Sequence, residues 1–257
     1  MPYTTLRLDS DGRIATVTLD RAEKRNAISA AMIADVIGVL DEIAAGPARA
    51  AILTGAGKAF CSGMDLEALR AIATQSAAQN LDDSRRMAAL FRALYAFPRP
   101  LIAAVNGAAL AGGCGIATLC DLTLAVPQAT FGYTEVRIGF IPAVVSAFLV
   151  RQVGEKRARE LLLLGNVIGA EEAQRLGLVT EIVPAERLLP RAQELAQALA
   201  ANSPASLERT KRLLRSYSES EMERDLEQAI QENAAIRSTA EFREGLSAFL
   251  EKRTPKF

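Results

Sequence analysis

A cluster of glycines places the tightest constraint on how this chain folds. Four glycines fall within residues 106–121, NGAALAGGCGIATLCD, directly after the apolar run Leu101–Val105. An apolar run, a glycine-rich turn and a second apolar segment predict a strand that leads through a tight turn into a helix. The free N–H groups of such a helix start favour a phosphate or a developing oxyanion. Taken alone, the cluster fits close packing of a helix on a strand equally well.

A second glycine pair, Gly55 and Gly57, follows the predicted buried strand Ala50–Leu53 and invites a nucleotide-binding interpretation. A phosphate-binding P-loop would need glycine at position 52 and a hydroxyl residue after Lys58, and neither is present. The dinucleotide fingerprint would need a third glycine where Phe60 stands. The sequence therefore predicts neither type of nucleotide site.

The absence of histidine narrows the possible chemistry further. With no histidine, the chain cannot use a Ser-His-Asp or Cys-His arrangement. Acid–base work falls to Asp, Glu, Lys, Tyr or Cys. Cys61 and Cys114 lie beside the glycine loops, but no usual base could activate them, so we expect both to be buried small side chains. No clustered ligands indicate a metal site.

Charge balance and cysteine content indicate which partners and which cellular compartment to expect. The 30 Lys and Arg residues are balanced by 30 Asp and Glu residues, and no basic stripe with interleaved aromatics stands out. We therefore expect no nucleic-acid partner. The three cysteines form no C-x-x-C pair, and we find neither a leader segment nor an apolar run of membrane-spanning length. These features predict a cytoplasmic protein without a membrane partner.

Periodicity predicts an α/β chain. Short β-type runs at Thr5–Leu8 and Ile14–Leu19 flank a turn cluster and predict a hairpin, and Ser29 is placed to cap a helix that ends near Ala45. We expect residues 74–83, which are polar and small, to be mobile, with a helix only from about Ser84 to Phe97. The last third is almost entirely helical in pattern. We divide the chain into a core at 1–200 and a helical region at 201–257.

Glu135 is the carboxylate that the sequence singles out. It lies in the largely apolar segment FGYTEVRIGFIP, residues 131–142, and an apolar setting raises a carboxyl pKa toward the range of general acid–base chemistry. The alternative is that it is solvated or paired with Arg137. Asp65 and Asp121 fit capping or loop-fixing roles better.

Three segments together resemble one family. AFCSGMDL at 59–66, the glycine-rich block at 106–121 and FGYTEVRIGFIP at 131–142 occur in the order and spacing of the crotonase superfamily, the enoyl-CoA hydratase/isomerase proteins. The likeness covers nearly the whole chain. It implies an α/β spiral of ββα units, followed by a helical C-terminal trimerisation region, often with two trimers stacked as a hexamer.

The resemblance also implies a catalytic site. Two backbone N–H groups, here those of Met64 and Gly112, would hold the thioester oxygen of an acyl-CoA and stabilise an enolate. Hydratases of the family typically carry two glutamates. Here the first position holds Gly115 and the second holds Glu135. Coenzyme A is part of the substrate in this family, so no separate cofactor is expected.

Coenzyme A contacts follow from the same resemblance. The loops at residues 24–28 and 62–66 would line the coenzyme, and a Phe and a Lys near the C-terminus would come from a neighbouring subunit. In this sequence the candidate binding residues are Lys24, Ala27, Ile28, Ser62, Asp65, Leu66, Phe249 and Lys252.

Three functions remain open. The leading hypothesis is an enoyl-CoA hydratase with Glu135 as its single acid–base group, because the motifs look like the methylglutaconyl-CoA hydratase branch, which also lacks the first glutamate. A 3-enoyl to 2-enoyl-CoA isomerase needs only one base and is the alternative. The third is a CoA-binding protein whose catalysis has decayed. Arg70, Arg85 and Arg86 could meet a second substrate carboxylate, although surface solvation suits them better.

Overall fold

The computed structural model describes residues 3–72 and 74–257. Its strands are β1 Leu6–Ser10, β2 Ile14–Leu19, β3 Ala50–Gly55, β4 Ala59–Cys61, β5 Leu101–Val105, β6 Ala108–Leu110, β7 Leu122–Ala125, β8 Thr130–Gly132, β9 Val167–Gly169 and β10 Glu181–Ile182. Its α-helices are α1 Ala30–Ala45, α2 Leu66–Ile72, α3 Ala77–Ala96, α4 Gly112–Thr118, α5 Ala143–Leu164, α6 Ala170–Arg175, α7 Leu188–Ala201, α8 Pro204–Ser216, α9 Glu219–Ala235 and α10 Ala240–Glu251. No described helix is both long and apolar enough to cross a membrane.

The strands alternate between two sheets as the chain advances. The larger sheet has the order β1-β2-β3-β5-β7-β10, and the smaller has the order β4-β6-β8-β9. Thus β3, β5 and β7 enter the large sheet as parallel neighbours, while β4, β6 and β8, which follow them in the chain, enter the small one. Each pair then leads into helical structure, so the predicted ββα spiral is the observed architecture.

The first elements form as their sequence patterns predict. β1 and β2 pair in antiparallel register, with Leu6 opposite Leu19. The Ser29 side chain accepts a hydrogen bond from the N–H of Met32 and so caps α1. The buried face of α1, which includes Val36 and Leu40, packs into the main apolar core with the large sheet.

The helix start predicted near Ser84 is wrong, because residues 77–83 are already helical. α3 begins at Ala77, with a capping box in which Ser76 accepts from the N–H of Gln79 and the Gln79 side chain accepts from the N–H of Ser76. Gln79 and Asp82 in its first turns are exposed, but Asn80 and Ser84 are buried, and the Ser84 hydroxyl donates to Asn233 Oδ1 at 2.8 Å. Ser84 therefore makes a polar contact with α9 and does not lie in a solvated loop.

The C-terminal helices pack onto the rest of the chain. α9 lies against α3 and α5, and its Met222, Leu226 and Ile230 belong to the same apolar core as the large sheet. α10 packs on the short 3-10 helix Glu135–Ile138, where Gly245 lies so close that a Cβ would meet the Ile138 carbonyl at 2.3 Å. This close approach brings the end of the chain to Glu135.

Candidate active site

Two loops, at the ends of β4 and β6, meet at the predicted oxyanion site. Gly63, with φ +89°, turns the chain after β4, and Ala111, with φ +50°, turns it after β6 into the first residue of α4, Gly112. The loops are held by backbone hydrogen bonds, from Ile28 N–H to the Gly63 carbonyl at 2.7 Å and from Ala111 N–H to the Gly132 carbonyl at 2.7 Å. Both turns are therefore held by hydrogen bonds to neighbouring segments of the chain.

The N–H groups of Met64 and Gly112 are free to bind a ligand. Neither donates to a backbone carbonyl or side chain among the described residues. Gly112 lies at the first position of a helix, where the N–H has no partner inside the helix and the dipole favours negative charge. Both residues line one cavity, so the structure brings the two predicted donors to a common space.

That cavity, which we call the acyl cavity, has a volume of about 130 Å³. Its lining is largely apolar and includes Ile28, Leu69, Met87, Phe91, Phe140, Val144 and Val145. Its polar residues are few: Ser62, Thr134, Glu135, Asn233 and Arg237, and the side chain of Arg237 has no accessible surface. A mainly apolar cavity with a few convergent polar groups is the usual form of a small-molecule site.

Glu135 supplies the only carboxylate among the described residues that line the acyl cavity. Its Oε2 is buried and has no hydrogen-bond partner in the described part of the chain. Burial raises the pKa of this carboxyl to about 7. Arg137 does not pair with it, since Arg137 Nη2 donates to Asn166 Oδ1 at 3.0 Å. Glu135 is therefore an unpaired group that can take up or release a proton near neutral pH.

Gly115 lies one turn along α4 from Gly112 and leaves no space for a second glutamate. A Cβ added there would lie 2.5 Å from Phe91 Cε1 and 2.7 Å from Val145 Cγ1. Phe91 and Val145 fill the volume that a side chain at 115 would occupy. The packing around position 115 therefore fits glycine and excludes the glutamate that hydratases of the family typically carry there.

A second space, which we call the groove, has a volume of about 470 Å³ and holds most of the predicted coenzyme residues. It is lined by Lys24, Ala27, Ser62, Asp65, Leu66 and Phe249, among others, while Ile28 lines the acyl cavity instead. Ser62, Met64, Thr134 and Phe249 line both spaces. The groove and the acyl cavity therefore adjoin at the oxyanion site.

Asp65 fixes the groove loop, as expected for a loop-fixing residue. Its Oδ1 accepts from the N–H of Glu67 at 2.9 Å, and its Oδ2 accepts from Arg21 Nη2 at 2.7 Å. Lys24 Nζ lies 3.8 Å from the same carboxylate and pairs with Glu67 at 2.8 Å. Because its side chain is nearly buried in these contacts, Asp65 shapes the groove through its neighbours.

The contribution of Phe249 and Lys252 to a neighbouring subunit, which the resemblance implies, stays a prediction. Within its own chain, Phe249 lines both the acyl cavity and the groove. The cause is the docking of α10 on the 3-10 helix of the same chain, where Phe242 packs against Phe140 with ring centroids 5.2 Å apart and ring planes tilted by 44°. Lys252 ends α10 in a left-handed conformation, exposed and outside both spaces.

Cys61 and Cys114 are buried, as predicted, and Cys120 is buried as well. Cys61, Cys114 and Cys120 are free and almost inaccessible, and burial raises the pKa of the Cys61 and Cys114 thiols to about 12. Thiols with such pKa values remain protonated at neutral pH and make poor nucleophiles. Acid–base chemistry in the acyl cavity therefore rests on Glu135.

Sequence reasoning missed several residues of the acyl cavity, among them Asn233 and Arg237. No motif marks these two, and their i, i+4 spacing is the only signal that Asn233, near the end of α9, and Arg237, in the 3-10 helix Ile236–Ser238, lie close together. The arginines that it did consider lie elsewhere: Arg70 lines the groove, and Arg86 pairs with Asp82 and Asp83 at the surface.

The geometry agrees with comparisons to known proteins. The model of the enoyl-CoA hydratase/isomerase family matches residues 9–257. This chain belongs to that family. It is 44% identical to a Thermus thermophilus protein provisionally named enoyl-CoA hydratase, over 96% of this chain and 98% of that protein. It is 37% identical to the 2,3-dehydroadipyl-CoA hydratase of Escherichia coli, over 95% of each.

Solved structures of the enoyl-CoA hydratase/isomerase family confirm the fold. A crystal structure of an enoyl-CoA hydratase/isomerase from Xanthobacter autotrophicus superposes with a TM-score of 0.90 at 30% identity, covering 98% of each chain. The α/β crotonase spiral predicted from three sequence blocks is therefore correct. The chain is an enzyme of the enoyl-CoA hydratase/isomerase family, and an acyl-CoA is its class of substrate.

Proposed function

We propose that this chain is an enoyl-CoA hydratase that adds water across the double bond of a short 2-enoyl-CoA, with Glu135 as its single acid–base group. The observation that carries the proposal is the free, buried Oε2 of Glu135 in the same cavity as the unpaired N–H groups of Met64 and Gly112. A base and two preorganised donors are the groups that enolate chemistry at a thioester requires.

Binding uses the two adjoining spaces. The coenzyme would occupy the groove, where Lys24 offers a cation to a phosphate, and the acyl group would enter the acyl cavity. A cavity of about 130 Å³ is slightly smaller than the ~150 Å³ cavity known to bind benzene, so it suits a short acyl group. The thioester would lie between them, within reach of the Met64 and Gly112 N–H groups.

The proposed reaction needs one carboxylate if water adds from its side. Ionised Glu135 takes a proton from water as the water oxygen bonds to Cβ, and the electron pair of the double bond moves to the thioester oxygen as an enolate. The Met64 and Gly112 N–H groups stabilise that charge. Protonated Glu135 then returns a proton to Cα, so one water is added and the enzyme is regenerated. A pKa of about 7 suits a group that must both accept and donate.

The motif resemblance supports a branched methylglutaconyl-CoA-type substrate, and one relative named for 2,3-dehydroadipyl-CoA supports a linear one. Both are short acyl groups with a second carboxylate, and both are compatible with a small acyl cavity.

The isomerase remains a second candidate because Gly115 is packed against Phe91 and Val145. With one carboxylate, proton removal at one carbon and return at another needs no activated water. The same residues would then convert a 3-enoyl-CoA into a 2-enoyl-CoA.

Turnover in oxygen-18 water separates these functions. We would supply crotonyl-CoA, 3-methylglutaconyl-CoA and a 3-enoyl-CoA, and follow both the conjugated thioester absorbance and the isotope in the product. Labelled 3-hydroxyacyl-CoA would establish the hydratase. Unlabelled 2-enoyl-CoA formed only from the 3-enoyl substrate would establish the isomerase, and acyl-CoA binding without turnover would indicate a decayed enzyme.

Glu135→Gln tests the assigned acid–base group. We expect kcat to fall by roughly 10²–10⁴-fold while acyl-CoA binding is retained, since the amide cannot transfer the proton. Glu160→Gln, in an exposed ion pair with Arg157, serves as the control and should turn over normally. Full turnover by Glu135→Gln on every substrate would show that the base lies elsewhere.

We further propose that the chain assembles as a homotrimer or hexamer, as the family resemblance implies. Exposed apolar side chains support an interface: Leu163 and Leu164 on α5, Leu213 and Leu214 on α8, and Tyr217 directly after α8. Light scattering on the purified protein would give the mass, and a monomer at micromolar concentration would contradict this proposal.

A further inference from the structure

The acyl cavity of a hydratase has to hold the reacting water as well as the acyl group. A water molecule carries two O–H groups, and ionised Glu135 accepts one of them when it takes up the proton. The other O–H needs an acceptor that turns a lone pair of the water toward Cβ of the substrate, because orientation provides much of the rate. Position 115 cannot supply one, since Phe91 and Val145 fill the space beside Gly115.

Few side chains in the described lining of the acyl cavity can accept that hydrogen bond. Besides Glu135, the side chains with an oxygen atom are those of Ser62, Thr134 and Asn233. Asn233 Oδ1 already accepts from the Ser84 hydroxyl at 2.8 Å and from Arg237 Nη2 at 2.8 Å. These two bonds use both lone pairs of that oxygen, so the two hydroxyl groups remain.

The Thr134 hydroxyl is unpaired and accessible. Thr134 is half-buried and directly precedes the 3-10 helix Glu135–Ile138, but its side chain neither caps that helix nor makes a hydrogen bond within the described part of the chain. The unpaired side-chain atoms that are fully buried belong to other residues, Gln75, Arg99, Asn106 and Glu135. Thr134 Oγ1 therefore keeps accessible surface and can contact water or a ligand.

Thr134 lies where the two spaces adjoin. It lines both the acyl cavity and the groove, whereas Glu135 lines the acyl cavity alone. If coenzyme A fills the groove, the thioester lies at this junction, and Cα and Cβ are the first acyl atoms inside the cavity. This placement puts the Thr134 hydroxyl beside the reacting carbons and next to the base in the chain.

The backbone on both sides of Thr134 is fixed. The Ala111 N–H donates to the Gly132 carbonyl at 2.7 Å, and the Arg137 N–H donates to the Thr134 carbonyl at 3.0 Å. A β-branched side chain on a fixed backbone has few rotamers. The hydroxyl can therefore hold a water in a defined place.

Ser62, the other candidate acceptor, belongs to the opposite loop. Its N–H donates to the Arg25 carbonyl at 3.1 Å, which ties it to the groove, and it lies two residues before Met64. Ser62 is thus on the side of the N–H group that would bind the thioester oxygen. Thr134 is on the side of Glu135.

We propose that the Thr134 hydroxyl accepts a hydrogen bond from the water that Glu135 deprotonates and so directs the water oxygen at Cβ of the enoyl thioester. The inference rests on the proposed hydratase function and adds a second residue to that reaction. One water proton passes to Glu135 as the oxygen bonds to Cβ, and the other stays on the product hydroxyl. The electron pair of the double bond moves to the thioester oxygen, and Glu135 then returns its proton to Cα. The step therefore balances without a second carboxylate.

Two reactions of the same site separate the role of Thr134 from that of Glu135. Hydration of crotonyl-CoA needs the water, whereas exchange of the α-protons of butyryl-CoA in deuterium oxide needs only the base and the two N–H groups. Thr134→Val removes the hydroxyl and keeps the shape of the side chain. We expect kcat for hydration to fall roughly tenfold or more, with KM and the exchange rate within a few fold of wild type.

Further variants show whether the hydroxyl itself is responsible. Thr134→Ser keeps a hydroxyl and should hydrate within a few fold of wild type, and hydration as slow as that of Thr134→Val would contradict the proposal. Thr254→Val, at an exposed position outside both spaces, is the matched control and should leave both reactions unchanged. If Thr134→Val does not fold, as judged by circular dichroism, Thr134→Ala provides the same comparison.

Two other results would overturn the proposal. Wild-type hydration by Thr134→Val would show that the water is held elsewhere, and a selective loss of hydration in Ser62→Ala would then assign it to that hydroxyl. A parallel fall of hydration and exchange would show that Thr134 acts on Glu135 or on the fold and not on the water.

The proposed function fails by a different result. Exchange without hydration in the wild-type enzyme would refute the hydratase, and the role of Thr134 with it. Hydration that does not depend on the Thr134 hydroxyl would refute the role of Thr134 alone.

Discussion

Gly115 and Phe91 are packed so closely that a Cβ atom on the glycine would lie 2.5 Å from Cε1 of the ring. Phe91 is buried and lies beside Phe148, with ring centroids 6.2 Å apart, so it has little freedom to move aside. The acyl cavity therefore has room for one glutamate, because Phe91 and Val145 fill the space that the side chain of a second would need.

Introducing the family's second glutamate should consequently damage this protein. We expect Gly115→Glu to lower the free energy of unfolding by at least ~2 kcal/mol, from overpacking and from a buried carboxyl, and to give no gain in hydration rate. Urea denaturation measures the first effect and crotonyl-CoA turnover the second. Gly169→Glu is the control, because a Cβ at Gly169 meets nothing within 4 Å. A stable, faster Gly115→Glu enzyme would contradict the packing argument.

The pH profile should report the ionisation of Glu135. Burial raises its pKa to about 7, and the proposed mechanism needs the ionised form to take a proton from water. We therefore expect kcat/KM for crotonyl-CoA to rise between pH 6 and pH 8 with a midpoint near 7. Rates measured at constant ionic strength would show this limb. A flat profile over that range would mean that another group limits the rate.

The free energy of unfolding should depend on the same ionisation, but it should fall as the pH rises, whereas activity should increase. The pKa of Glu135 is raised from 4.5 to about 7 in the folded protein, so the folded state holds this proton more tightly than the unfolded state. The resulting contribution to stability is complete below pH 4.5 and is lost as the pH rises through 7. The Glu135→Gln variant has no carboxyl to ionise at this position, so it should not lose stability in this way. Its stability relative to wild type should increase by on the order of 2–3 kcal/mol between pH 5 and pH 8.

Urea denaturation at both pH values checks that prediction. Glu160→Gln, at an exposed position, should differ from wild type by the same small amount at pH 5 and pH 8. A Glu135→Gln curve parallel to wild type at both pH values would show that the carboxyl is solvated rather than buried.

Backbone strain at Ala111 offers a stabilising change. Ala111 has φ +50° and ψ −127°, a conformation that suits glycine far better than a residue with a Cβ. We expect Ala111→Gly to raise the free energy of unfolding by about 0.5–1 kcal/mol. Ala109→Gly, in the buried strand β6, should lower it instead. If both changes destabilise the protein equally, the strain at Ala111 is not significant.

Local sequence patterns were sufficient for much of the fold. The hairpin of β1 and β2, the Ser29 cap and the glycine turn before α4 each depend on residues close together in the chain. The start of α3 was missed because its polar residues looked like those of a loop. Ser84 is buried only because Asn233, 149 residues away, accepts its hydrogen bond, and no local pattern contains that contact.

The active site likewise contains some features that the sequence predicts and others that it does not. The resemblance to the crotonase superfamily singled out Glu135, Met64 and Gly112, and the structure brings them to one cavity. The space that Phe91 and Val145 fill beside Gly115 could not be read from the sequence, because it depends on packing between separate elements. Arg237 was missed for the same reason, since its burial arises from the way α3 and α9 meet.

The docking of α10 on its own 3-10 helix has a consequence for how the site forms. Ile28 and Phe249 line the same cavity although they lie more than 200 residues apart in the chain. Contacts of such long sequence separation close late, because the intervening chain must first lose its freedom. During refolding, acyl-CoA binding should therefore return only in the last kinetic phase, after most helical circular dichroism has recovered.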